Sequence, residues 1–133
     1  MPVNSSPIFP VSPIVGIATL TSATAVTSRA NITGTTGLVK LTDTATYGTR
    51  IDQITIKGKG DTVASNVYIW IYNGTTSFLF DEIDVAAVTA ATTTDSFTIS
   101  KTYNNFVLPP TYQVYISESV QTNLNVIAFG GVY

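Results

Sequence analysis

The stretch VYIWIYNG, residues 67–74, decides the fold class of this chain of 133 residues. Its first six residues are β-branched or aromatic, and they alternate in type as in a strand with two different faces. The pair Asn73-Gly74 is a strong signal for a β-hairpin, because a type I′ turn needs positive φ at both central residues. We therefore predict a strand at 67–72 that turns into a second strand at 77–85.

Similar short runs, separated by Gly, Asn and Pro, continue on both sides of this hairpin. Within 53–57, Ile54 and Ile56 face one way and the polar residues face the other. Further strands are predicted at 14–20, 38–41, 53–57, 96–101, 112–117 and 123–129, and turns at 30–37, at Gly58-Lys59-Gly60 and at Gly130-Gly131. No amphipathic helix of useful length is present, although 85–91 can form one helical turn. About eight strands predict an all-β, single-domain β-sandwich with a jelly roll as the leading topology.

The first 13 residues are predicted to form an extended arm ahead of a β-sandwich domain at 14–133. Four of the six prolines lie in this arm, and proline favours extended backbone in the residue before it. The arm also carries Ile8, Phe9 and Val11, which are poor choices for a surface in water. Two interpretations remain open: the arm lies on a neighbouring molecule, or it packs on its own domain.

The charge of the chain is low, and this limits what it can bind. Charged residues make up 11% of the sequence, against about 25% in a typical soluble domain. The net charge is −2 without a basic run, which argues against nucleic acid as a partner. No run of apolar residues is long enough to span a membrane, and the prolines near the N-terminus argue against a signal peptide. A surface with so little charge indicates either coverage by other subunits or an extracellular β-module.

The residue types that most enzymes need are missing. The chain has no His and no Cys, which rules out a Ser-His-Asp triad and the commonest transition-metal ligands. Asp81, Glu82 and Asp84 form the one acidic cluster, with Glu82 and Asp84 on the same strand face. Such a cluster can bind Ca²⁺ or act as a glycosidase pair, but three carboxylates more often form a solvated face. We therefore predict no enzyme, no catalytic or metal-binding residues and no cofactor.

The aromatic face of the strand at 67–72 is the best candidate for a binding surface. Tyr68, Trp70 and Tyr72 share one face, and Val67, Ile69 and Ile71 share the other. Three large rings can form a protein interface or a platform on which a sugar stacks, and they can equally belong to the core. The sequence leaves these three interpretations open.

From about residue 37 to 133 the chain resembles small structural proteins of tailed bacteriophages. The residues that carry the resemblance are GTRIDQI (48–54), VYIWIYNGT (67–75), DEI (81–83), Leu108-Pro109 with Tyr112, and NVIAFGG (125–131). The last run is the most specific, whereas the first third of the chain carries no resemblance. The resemblance implies a virion component assembled in the cytoplasm of a bacterial host. Small β-sandwich proteins of phage heads often serve as trimeric decoration, or cement, proteins.

These observations lead to one leading hypothesis and two alternatives. The leading hypothesis is a non-enzymatic capsid decoration protein, trimeric, that binds the major capsid protein or other virion proteins and stabilises contacts between capsid subunits. One alternative is a protein associated with the phage tail or fibre. The other is a β-sandwich that binds host glycans through Tyr68, Trp70 and Tyr72. The expected interface residues are Ile8, Phe9, Val11, Tyr68, Trp70 and Tyr72.

Deletion of residues 1–13 tests the predicted arm. If the arm binds a neighbour, the truncated chain keeps its melting temperature and loses attachment to the particle. If the arm packs on its own domain, the melting temperature falls and attachment persists. Thermal unfolding and co-sedimentation with capsids distinguish the two, and a truncated chain that is unchanged in both would exclude any role for the arm.

Overall fold

The computed structural model describes residues 12–20, 26–120 and 122–133. These residues form nine β-strands: β1 (Ser12–Leu20), β2 (Ile32–Thr33), β3 (Val39–Lys40), β4 (Thr49–Gly58), β5 (Ser65–Tyr72), β6 (Thr76–Val85), β7 (Thr98–Leu108), β8 (Gln113–Glu118) and β9 (Leu124–Val132). They contain no helix, and therefore none that is long and apolar enough to cross a membrane. The predicted all-β class is confirmed, but 85–91 does not form the helical turn that its sequence allowed.

The strands form two antiparallel sheets in the order of a jelly roll. Sheet A has the order β1-β9-β4-β7, and sheet B has the order β2-β6-β5-β8-β3. The pairs β1–β9, β3–β8, β4–β7 and β5–β6 are nested along the chain, like the two arms of one long hairpin. Rolling such a hairpin into two facing sheets produces a jelly roll. The short β2 is an addition at the outer edge of β6.

The hydrophobic core lies between the two sheets. From sheet A, Ile54 and Ile56 of β4 point inward, as their alternation predicts, and both are fully buried. From sheet B, Val67 and Ile69 of β5 and Ile116 of β8 belong to the same cluster. Burial of an aliphatic side chain of this size contributes about 1.5–3 kcal/mol, so this layer is the main source of stability.

Two β-bulges change which side chains face the core. In β4 the register shifts at Asp52, so Ile51 and Ile54 both point inward although they lie an odd number of residues apart. In β6 the register shifts opposite Ile69 and Trp70, which leaves Phe80 without a partner on β5. The second bulge brings Asp81 onto the core side of β6, opposite Ile69.

The hairpin between β5 and β6 is present, but its turn differs from the predicted type I′ turn. Gly74 has a φ of 99°, whereas Asn73 has no positive φ, so only one of the two positions meets the requirement. The Asn73 side chain instead caps the turn: its Oδ1 accepts the backbone N–H groups of Thr75 at 3.0 Å and Thr76 at 2.8 Å. Asparagine often replaces a backbone acceptor in this way.

Gly130-Gly131 is also not a turn, in contrast to the prediction. Both residues lie inside β9, where Gly130 pairs with Ile14 of β1 and with Ile51 of β4. A Cβ atom at Gly130 would overlap the carbonyl oxygen of Arg50. Glycine is required here because the backbones of β9 and β4 approach closely beside the bulge. Of the turn predicted at Gly58-Lys59-Gly60, Gly58 is the last residue of β4, and the chain bends at the two residues that follow.

Strand β1 begins at Ser12, two residues inside the segment predicted as the arm. Ser12 and Pro13 pair with Val132 and Gly131, so both belong to β1. Proline is tolerated there because β1 is an edge strand of sheet A. The remainder of the predicted arm, residues 1–11, lies outside the described residues.

A segment that we call the strap, residues 26–38, crosses the outer face of sheet B. Its first residue, Val26, donates a backbone hydrogen bond to the Glu118 carbonyl oxygen on β8 at 3.0 Å. Further along, Arg29 forms an ion pair with Glu82 of β6 at 2.8 Å. The strap then contributes β2, which pairs with β6, and turns back towards β3 beside β8. It therefore adds a third layer over the middle of sheet B.

Substitution of Gly130 tests the close approach of β9 and β4. We expect Gly130→Ala to destabilise the domain by more than about 2 kcal/mol, because neither backbone can move away without breaking strand pairs. Gly74→Ala is the control, since an added Cβ meets open space there and only the positive φ is unfavourable; we expect a loss of about 1 kcal/mol. Chemical denaturation measures both. Equal losses in the two variants would contradict the interpretation.

Candidate interaction surface

The outer face of sheet A carries an apolar patch at its β1 edge. Register places Val15 of β1 beside Phe129 of β9, and Ile17 beside Ile127. Val15 is 56% exposed, Ile17 is 65% exposed and Phe129 is 41% exposed. We call these four residues the β1–β9 patch. Adjacent apolar side chains on an exposed sheet face mark an interaction surface more often than scattered ones do.

The patch borders a free strand edge. β1 pairs only with β9, so its other edge offers backbone N–H and C=O groups to a partner strand. No residue of β1 is charged, although natural edge strands usually carry charges that prevent such pairing. Near the middle of β1, a Cβ atom at Gly16 would overlap the Leu41 carbonyl oxygen, so the segment after β3 lies close to the strand there.

A shallow groove runs beside this part of β1. It has a volume of about 380 Å³ and lies between β1 and the segment that follows β3. Its walls include Ile14 and Ile17 on one side and Lys40, Thr42 and Asp43 on the other. The groove therefore continues the β1–β9 patch around the edge of the sandwich, with polar groups along its far wall.

The rest of the outer face of sheet A is largely polar, with an exposed ion pair between Arg50 and Asp52 at one end of β4. Thr55 of β4 shares a hydrogen bond with Ser100 of β7 at 2.8 Å and accepts one from Gln53 at 3.0 Å. Lys57 lies at the other end of β4, and its ammonium donates to the Thr98 hydroxyl at 2.9 Å. A partner that covers the area around Thr55 would therefore displace few strongly hydrated groups, which keeps the cost of desolvation low there.

The aromatic face of β5 is covered within the chain. Tyr68 and Trp70 point away from the core cluster, yet they are only 3% and 0% exposed. The Arg29 guanidinium of the strap lies 5.6 Å from the Tyr68 ring centroid, and the Trp70 indole N–H donates to the Ser117 hydroxyl at 2.9 Å. A glycan or protein partner would reach these two rings only after the strap had moved.

The other predicted interface residues have different positions. Tyr72 is partly exposed near the hairpin, where its ring meets Tyr115 at 5.5 Å and its hydroxyl donates to the Gly74 carbonyl oxygen. Ile8, Phe9 and Val11 lie outside the described residues, so their contribution to an interface stays a prediction.

The acidic cluster predicted on β6 does not form one site. Glu82 and Asp84 share the outer face, as predicted, but Glu82 is paired with Arg29. Asp81 points to the other face, where its carboxylate accepts hydrogen bonds from Lys101 at 2.6 Å and Tyr103 at 2.8 Å. Across the described part of the chain no three acidic side chains gather into a group that could hold a metal ion.

The contacts of Asp81 connect the two sheets at the β6–β7 side of the sandwich. Partial burial opposes ionisation of Asp81, but the hydrogen bonds from Lys101 and Tyr103 outweigh it and lower the pKa of the carboxyl group. Burial, followed by the bond to Asp81, raises the pKa of the Tyr103 hydroxyl. The rings of Phe80, Tyr103 and Phe106 pack beside this network with centroids 4.4–5.9 Å apart.

Glu118 is a buried ionisable residue that sequence analysis did not identify. It follows Val114 and Ile116 on the inner face of β8, and its side chain is fully buried. One carboxyl oxygen accepts the Thr122 N–H at 3.2 Å, and the other has no hydrogen-bond partner among the described residues. Burial raises the pKa of Glu118 to about 7. The alternation in β8 could have predicted this burial, because Glu118 follows Val114 and Ile116 at intervals of two residues.

Substitution of Asp81 tests whether its network stabilises the fold. Because the folded pKa is lowered, the stabilisation is present above the unfolded pKa and is lost as pH falls through the folded value. We expect Asp81→Asn to lower the free energy of unfolding at pH 7 by about 1–2 kcal/mol and to match the wild type in strong acid. Asp43→Asn, which removes an exposed ion pair with Lys40, should change little. Urea titrations across the pH range make the comparison.

Comparisons of the chain with models of protein families, with curated proteins and with solved structures found no match.

Proposed function

We propose that this chain is a non-enzymatic structural protein of a bacteriophage virion, specifically a capsid decoration protein that stabilises contacts between major capsid subunits. The observation that carries the proposal is the β1–β9 patch: exposed Val15, Ile17 and Phe129 beside a strand edge without charge. Proteins that remain dissolved as monomers usually protect such an edge with charge. A protein that stays bound to other subunits does not need this protection, because its strand edge is covered.

The physical basis of attachment would be burial of apolar surface together with strand-edge contacts. Each exposed side chain of the patch that a partner buries contributes about 1 kcal/mol or more. Such contacts are weak individually, but they repeat over many copies on one particle. Linked copies, such as the predicted trimer, bind together far more strongly than one copy does.

The resemblance of residues 37–133 to small structural proteins of tailed phages supplies the biological setting. A protein associated with the phage tail or fibre is the alternative within the same setting, and the same patch would serve it. Binding of host glycans through Tyr68, Trp70 and Tyr72 receives less support, because the first two rings are buried.

A binding experiment with a matched control tests the proposal. The probe is an empty shell of the major capsid protein encoded in the same genome, and the measurement is co-sedimentation of the tagged chain. We expect the double variant Ile17→Asn/Phe129→Asn to bind at least about tenfold more weakly than the wild type. Val63→Asn/Val107→Asn is the control, since these side chains are 50% and 49% exposed and lie outside the patch.

The outcomes separate the hypotheses. Equal binding by the patch variant and the control would show that attachment does not use the β1–β9 patch. If the wild-type chain does not bind capsid shells but sediments with purified tails, the result supports a protein associated with the tail or fibre. Binding to neither particle, with retention on a glycan array, would overturn the virion proposal.

A further inference from the structure

Glu118 lies where three parts of the chain join. Its carbonyl oxygen accepts the Val26 N–H at 3.0 Å, which fixes the start of the strap. The next residue, Ser119, donates its N–H to the Asn66 carbonyl oxygen and accepts the Asn66 N–H on its hydroxyl, both at 2.9 Å. A displacement at the end of β8 would therefore disturb the start of β5 and the anchor of the strap together.

The carboxyl group of Glu118 occupies a site that suits its neutral form. It is fully buried at the end of the core, and among the described residues it receives one hydrogen bond, from the Thr122 N–H. Its second oxygen has no partner among the described residues. An ionised carboxylate is strongly hydrated in water, so its burial with one donor and no cation is unfavourable.

No neighbouring charge compensates for this burial. The charged residues on the adjoining elements are Lys59, whose N–H bonds to the Asn123 carbonyl oxygen, Asp84 opposite Asn66, and the Arg29–Glu82 pair. Lys59 and Asp84 are exposed, and neither of the two cations, Lys59 and Arg29, forms an ion pair with Glu118. Residues 1–11, 21–25 and 121, which the structure does not describe, contain no ionisable side chain.

Few groups in the chain can change charge near neutral pH. It has no His and no Cys, which are the side chains that usually titrate between about pH 5 and pH 8. Burial brings the pKa of Glu118 to about 7, into this window. A change of shape in the middle of the window would therefore point to Glu118.

We propose that Glu118 is a proton-controlled latch, which holds the strap closed over Tyr68 and Trp70 when the carboxyl group is neutral and releases it when the proton is lost. Ionisation draws water to the carboxylate, and the shortest route for water is displacement of Thr122, whose N–H binds the carboxyl group. This movement loosens the hydrogen bond between Val26 and Glu118. The strap then separates from sheet B and exposes the aromatic face of β5.

The direction of the pH dependence follows from the raised pKa. The folded state binds a proton that the unfolded state has already lost, so the stability from this site is complete below the unfolded pKa. It declines as pH rises through the folded value of about 7. The latch is therefore closed in mild acid and open in mild base.

Trp70 reports on the latch, because it is the only tryptophan in the chain and is fully buried on the face of sheet B that the strap crosses. The experiment measures quenching of its fluorescence by acrylamide between about pH 5 and pH 8. For the wild type we expect quenching to increase several-fold with a midpoint near pH 7, while the far-ultraviolet circular dichroism stays constant. That constancy separates local opening from global unfolding.

Two variants make the test specific. Glu118→Gln keeps the size and the acceptor for Thr122 but cannot ionise, and we expect its quenching to stay low at every pH. Asp84→Asn removes an exposed carboxylate near the same end of the sandwich, and its quenching should follow the wild-type curve. If Glu118→Gln does not fold, quenching of the wild type alone tests the proposal. Wild-type quenching that is independent of pH would falsify it. A transition that persists in Glu118→Gln would overturn it equally.

Discussion

Burial of both faces of β5 is the constraint on which most of sheet B depends. Val67 and Ile69 require sheet A on one side, while Tyr68 and Trp70 require a cover on the other. The two sheets of the sandwich cover only one face of β5, so the other face needs the strap as a third layer. The strap must in turn be anchored at each side of β5, and this gives the hydrogen bond to Glu118 and the ion pair to Glu82 their structural role.

The fold class could be predicted because strand alternation and turn residues are local. Ile54 and Ile56 face the core as their spacing requires, and β5 ends at Asn73-Gly74. The bulges at Asp52 and Phe80 could not be predicted in this way, since each depends on the register of a neighbouring strand. Gly130 was misinterpreted for the same reason: its lack of a side chain accommodates the Arg50 carbonyl oxygen, which belongs to a distant part of the sequence.

The candidate surfaces were only partly accessible to sequence analysis. Alternation correctly placed Tyr68, Trp70 and Tyr72 on one face, but it could not reveal that residues about 40 positions earlier cover two of them. The β1–β9 patch was missed because it joins side chains from opposite ends of the described chain, Val15 and Phe129. Such a pairing becomes visible only when the strand order of sheet A is known.

The pairing of β1 with β9 also has a consequence for biosynthesis. The ribosome makes β1 first, but its partner strand emerges only after nearly the whole domain has been translated. At about 5–20 residues per second, the apolar strand waits for several seconds without its partner. Contacts this distant in sequence give a high contact order, so the domain should fold slowly and only after β9 has left the exit tunnel. During that delay a chaperone has the best opportunity to shield Ile14 to Leu20 from other nascent chains.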